Sequence, residues 1–85
     1  MKKPMPLGYF VLIDVKDMVL KTKEIPSVLT AKVLEVGADA KKWGIKKTTE
    51  VTFRTEGVVL YSNSDGIVET LLVSYHNIVA IIKDV

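Results

Sequence analysis

The fold is decided by the last fifteen residues: Leu71-Leu72-Val73-Ser74, then Tyr75-His76-Asn77, then Ile78-Val79-Ala80-Ile81-Ile82-Lys83-Asp84-Val85. Two apolar runs flank a small polar break. The second run is β-branched almost throughout, which suits a pleated, extended backbone better than a helix. Its apolar residues are consecutive instead of alternating, so both faces of the strand need cover. A chain this small builds one core, and that core covers one face. The other face, or the free edge, is a candidate for a neighbouring subunit.

Working outward, Ile67 to Val73 reads as the strand returning from Ser62-Asn63-Ser64-Asp65-Gly66. That segment is the strongest turn in the chain, because Asp65-Gly66 favours the positive φ of a tight hairpin. Gly57 to Tyr61 is the outgoing strand. Glu50-Val51-Thr52-Phe53-Arg54 alternates polar and apolar, as a half-buried strand does. Ala31 to Gly37 is a further strand, ending at Val36-Gly37. The segment Ala38 to Lys47 holds Trp43 and four lysines; it reads as a loop with room for one helical turn at Asp39 to Trp43. Leu7 to Val15 is β-branched and aromatic and reads as the first strand, after an extended start set by Pro4 and Pro6. Lys16 to Thr30 mixes charges with the apolar islands Met18-Val19-Leu20 and Val28-Leu29, and Pro26 breaks any helix. It reads as a loop, with apolar residues that either fold back on the core or dock on a partner.

The sum is a single all-β domain over residues 1–85, a small β-barrel or sandwich with under about a tenth helix. Its expected core includes Val11, Ile13, Val33, Leu34, Val36, Val51, Phe53, Val59, Leu72 and Ile81. Hydrophobic residues are 48% of the 85, enough for a packed core. The formal charge is +2, from 12 basic and 10 acidic residues, which is mild for a nucleic-acid or membrane-surface protein. No stretch is long enough to span a bilayer as a helix, and Met1 to Pro6 lacks the apolar core of a signal peptide. The expected compartment is therefore the cytoplasm.

Little points to catalysis. The chain has no cysteine and one histidine, His76, which cannot build a metal site alone. It reads as a polar bend residue. The glycines are scattered, so no phosphate-cradling loop appears. No cofactor, metal or catalytic residue is expected, and the chain is expected not to be an enzyme. Lys41, Lys42, Lys46 and Lys47 surround Trp43. This is either a solvated loop with Trp43 tucked on the core edge, or part of an OB-like nucleic-acid surface.

The strands, taken in order, resemble the GroES-type co-chaperonins. Pro6-Leu7-Gly8-Tyr9-Phe10-Val11-Leu12-Ile13 is similar to that family's opening Pro-Leu-x-Asp-Arg-Val strand. Ala31-Lys32-Val33-Leu34-Glu35-Val36-Gly37 is similar to its Gly-x-Val-x-Ala-Val-Gly strand. Glu50-Val51-Thr52-Phe53 stands where the family has Gly-Asp-x-Val and apolar residues. Leu71 to Ser74 and Asn77 to Ile82 resemble its closing Leu-Ile-x-x-x-x-x-Asp-Ile-Leu-Ala-Ile-Val. The likeness covers nearly the whole chain and rests on joint order, since each motif alone is only an apolar strand with a turn. There are departures. The family's Asp-Arg pair is Tyr9-Phe10 here, and its Val-Gly-Asp is Thr48-Thr49-Glu50. The segment after Gly37 and the loop before Ala31 are both short.

The resemblance implies a small GroES-like β-barrel with a shortened mobile loop and a reduced roof hairpin. It implies a homo-oligomeric ring, heptameric in the family, that caps a GroEL-type chaperonin to assist protein folding. The chaperonin-binding loop would be Ile25, Pro26, Ser27, Val28 and Leu29. Subunit contacts would fall on Leu7, Tyr9 and Val11 of one chain and Ile78, Ala80 and Ile82 of the next. The shortened loop also fits a ring-shaped structural component of a phage capsid or neck, built on the same barrel. The OB-like nucleic-acid module is the third reading.

Overall fold

The computed structural model of the chain describes residues 4–83. Among these, 48% are in strands and 12% are helical. The strands are β1 (Phe10–Asp14), β2 (Leu20–Lys21), β3 (Val28–Val36), β4 (Glu50–Arg54), β5 (Val59–Ser62), β6 (Ile67–Ser74) and β7 (Ile78–Ile82), with one short helix, α1 (Ala38–Lys41). All seven strands join one antiparallel sheet, in the order β2-β6-β1-β3-β4-β7, with β5 on β6. The all-β expectation holds. The helical share slightly exceeds a tenth because 3-10 turns at Lys16–Met18 and Tyr75–Asn77 add to α1.

The expected closed barrel is corrected: among the described residues no ladder joins β7 to the opposite end of the sheet. The sheet is nevertheless strongly curled. β6 and β7 stand four places apart in the order, which in a flat sheet is roughly 19 Å. The chain crosses that gap from Ser74 to Ile78 through the turn Tyr75–Asn77, a step that reaches at most about 14 Å. The sheet must therefore bend around its core. Asn77 helps hold the bend: its Nδ2 donates to the carbonyls of Arg54 (3.1 Å) and Glu56 (2.7 Å) at the end of β4.

The core sits inside this curl. Val11, Ile13, Val15, Val33, Val51, Phe53, Val68, Leu71 and Val73 are fully or almost fully buried there, joined by Ala40 and Ile45 from the α1 region. Of the expected core residues, Val11, Ile13, Val33, Val51 and Phe53 are buried. Val36 and Ile81 are half-buried against the cluster, and Leu34 and Leu72 are half-buried. Val59 is a correction. It pairs with Leu72, on the outward face of β6, so it stays exposed while the next residue, Leu60, packs inward. Leu12 is buried as well, although alternation turns it away from Val11 and Ile13. It lies opposite Leu72 in β6 and Glu35 in β3, so these cross-strand neighbours share its face. Glu35 is itself buried and paired with Lys47 Nζ at 2.6 Å.

The first strand starts three residues later than expected. Leu7-Gly8-Tyr9 forms a turn, with Gly8 at φ 54° and the Phe10 N–H donating to the Leu7 carbonyl. The Gly8 carbonyl accepts from the N–H groups of Asp39 and Ala40 at the start of α1 (3.0 and 3.2 Å). Gly37 permits this approach, because a Cβ there would stand 2.5 Å from the Gly8 carbonyl oxygen.

Candidate functional site

Two surfaces compete for a partner, and the residues beneath each explain how it is presented. The first is the segment from Lys16 to Thr30. After the 3-10 turn and β2 it leaves only residues 22–27 as irregular backbone. Val28 and Leu29 do not belong to a loop: they open β3, opposite Arg54 and Phe53 of β4. Ile25 and Leu29 pack on the core cluster, so of the two roles open to this segment's apolar residues these two fold back. Pro26 and Ser27 are exposed, but their carbonyls accept from Thr55, from Oγ1 at 2.6 Å and from N–H at 3.0 Å. The segment is therefore pinned to the β4–β5 connection at its tip, and of its five expected contact residues only Val28 offers a large exposed apolar side chain.

The second surface is the free edge of β7 and the ground beside it. β7 pairs with β4 on one side, and among the described residues no strand lies on the other. Ile78 and Ile81 turn inward on the core, whereas Val79 (53% exposed), Ala80 and Ile82 (47%) face out. An apolar edge with unpaired N–H and C=O groups is a template for strand addition. The other half of the expected subunit contact is divided. Leu7 (81% exposed) and Tyr9 (51%) lie at the surface. Val11 is a correction: it is buried, and β1 is hydrogen-bonded along both edges, to β3 and to β6, so no second chain can pair with it.

Aromatic side chains gather at the start of β7. Tyr75 lies at their centre, its N–H donating to the Tyr9 carbonyl at 2.8 Å. Its ring stands 5.5 Å from Tyr9, 4.1 Å from His76 and 5.4 Å from Trp43, the last nearly parallel at 15°. His76 Nδ1 lies 3.1 Å from Ser74 Oγ. Trp43 is not tucked on the core edge: it is 63% exposed. Buried Ala40 and Ile45 anchor the chain on either side, and Gly44 at φ 85° turns it, so the intervening indole projects outward onto Tyr75. Sequence alone offers the Trp-Gly pair and the lysines around it as a signal for this loop. It offers none for the Tyr75 stack, which joins residues far apart in the chain.

Two grooves flank β7. One, of about 340 Å³, runs between Trp43, Ile45 and Tyr75 and the strand itself. The other, of about 500 Å³, is lined by Lys32, Lys46, Lys83, Thr48, Thr49 and Glu50. They meet at Ile81 and Lys83. Among the described residues no group of acidic and histidine side chains is placed to hold a metal ion, and no helix is long and apolar enough to cross a membrane. The chain matches no protein-family model and no curated protein.

Proposed function

We propose that this chain is a ring-forming co-chaperonin that acts by binding and closure, with no chemistry of its own. The observation that carries the reading is the free edge of β7, with Val79, Ala80 and Ile82 facing out beside an unpaired backbone. An edge of this kind is a liability in water unless another chain covers it. Contact there joins unlike surfaces of two subunits, the exposed side chains of Leu7 and Tyr9 of one against β7 of the next, and head-to-tail contacts of this type close into rings when the rotation allows. The order of the strand motifs, shared with the GroES-type co-chaperonins, supports the same reading, and the family's cytoplasmic setting comes with it.

The docked segment around Ile25 and Leu29 favours a second reading, a structural ring component such as a phage capsid or neck ring. A loop pinned by Thr55 and by core packing has little reach toward a chaperonin. Co-sedimentation with a GroEL-type chaperonin, with and without nucleotide, separates the two. Nucleotide-dependent capture of the chain supports the co-chaperonin. A stable ring that is never captured leaves the structural component.

A further inference from the structure

The exposed indole of Trp43 and the lysines beside it flank β7, in two grooves that share Ile81 and Lys83. Trp43 rests one face on Tyr75 and, at 63% exposure, leaves the other open. The stack on Tyr75 holds one face of the indole and leaves the rest of the ring available to a ligand. Beside it, the 500 Å³ groove is lined by Lys32, Lys46 and Lys83 and by Thr48 and Thr49, with Glu50 its one acidic residue and Ile81 and Ile82 of β7 on its apolar side. Lys41 and Lys42 flank the indole on the chain. Lys42 has Asp39 at 3.7 Å, but both side chains are well exposed, so that pair is worth little. Within this groove three lysines stand against one acidic residue, a larger basic excess than the chain's overall +2 suggests.

A flat aromatic face next to a polar, cationic groove fits a ligand that alternates flat rings with anionic groups. We infer that the Trp43 loop and the Lys32–Lys46–Lys83 groove bind a short single-stranded nucleic acid. A base stacks on the open face of Trp43 and the adjoining phosphates lie among the lysines. Stacking on an aromatic platform needs an unpaired base, which selects single strands over duplexes, and it tolerates any sequence because every base has a π-face. An acidic peptide would satisfy the lysines but has no use for the open indole face.

The chain's single tryptophan makes the test direct, because intrinsic fluorescence then reports this surface alone. The intact chain is titrated with a fifteen-residue oligothymidine at about 50 mM salt, with the anisotropy of a labelled oligonucleotide as the second readout. Saturable quenching is expected. Log affinity should fall against log salt with a slope of about −2, since three neutralised single-strand phosphates contribute roughly −0.7 each. Trp43→Ala should weaken binding about five-fold or more by anisotropy, while Trp43→Phe retains most of it. The pair Lys46→Glu and Lys83→Glu should weaken it at least about ten-fold with an unchanged circular dichroism spectrum. Absence of binding at low salt overturns the inference. So does poly-glutamate that competes as well as the oligonucleotide, or binding that Trp43→Ala leaves untouched.

Discussion

Residues 22–29 and the strand β7 (Ile78–Ile82) are both short, apolar-containing stretches that a sequence reading offers to a partner, and the fold treats them in opposite ways. Ile25 and Leu29 turn inward on the core, and the carbonyls of Pro26 and Ser27 are taken by Thr55. Val79 and Ile82 turn outward, and among the described residues no strand lies on the edge beside them. The difference lies in neighbours more than in hydrophobicity. The first stretch runs into β3, which has β4 beside it to receive its side chains and hydrogen bonds. The second comes last in the sheet, where one ladder is satisfied and no other strand among the described residues meets the second edge. An apolar stretch therefore identifies a partner surface only when its place in the sheet leaves it uncovered.

The comparison can be broken by mutation. The largest effect is expected where residues 22–29 meet the core. Phe53→Ala removes the fully buried partner of Leu29 and should cost about 3–5 kcal/mol by leaving a cavity. Leu29→Ser should cost about 2 kcal/mol, because a half-buried apolar side chain is lost and a hydroxyl is placed in its stead. Chemical denaturation followed by circular dichroism measures both. If Leu29→Ser proves neutral, residues 22–29 are a docking loop after all. Next comes the bend that brings β7 to β4. Asn77→Ala frees the carbonyls of Arg54 and Glu56 and should cost about 1–2 kcal/mol in the same assay. The smallest effect on folding is expected on the exposed edge. Val79→Lys should change stability by less than about 0.5 kcal/mol, yet it should block strand addition, since a charged edge resists pairing.

Much of this arrangement is legible in the residues themselves. The alternation of Glu50 to Arg54 marks β4 to the residue. Asp65-Gly66 marks the β5–β6 hairpin, in which Asn63 Oδ1 accepts from the N–H groups of Asp65 and Ile67 and Gly66 takes φ 78°. The β-branched and aromatic run of β1 marks a strand, and Val11 and Ile13 are buried as expected, while the burial of Leu12 between them on the opposite face goes beyond that expectation. What is not legible depends on register and on distant contacts. The outward turn of Val59 follows from its pairing with Leu72, not from its own type. The burial of Glu35 depends on Lys47 and on the face it shares with Leu12. β2 is a two-residue strand that exists because β6 extends beyond β1. The site at Trp43 needs Tyr75 beneath it, and no local pattern joins the two.

The central claim, that the β7 edge is where this chain meets another copy of itself, is tested most directly by mass. Sedimentation velocity of the intact chain at micromolar concentration, run beside Val79→Lys, gives the answer. The account predicts a closed assembly several times the 9.4 kDa chain for the natural sequence, and a folded single chain for the variant. A monodisperse 9.4 kDa species for the natural sequence, or an assembly that Val79→Lys leaves intact, would contradict it.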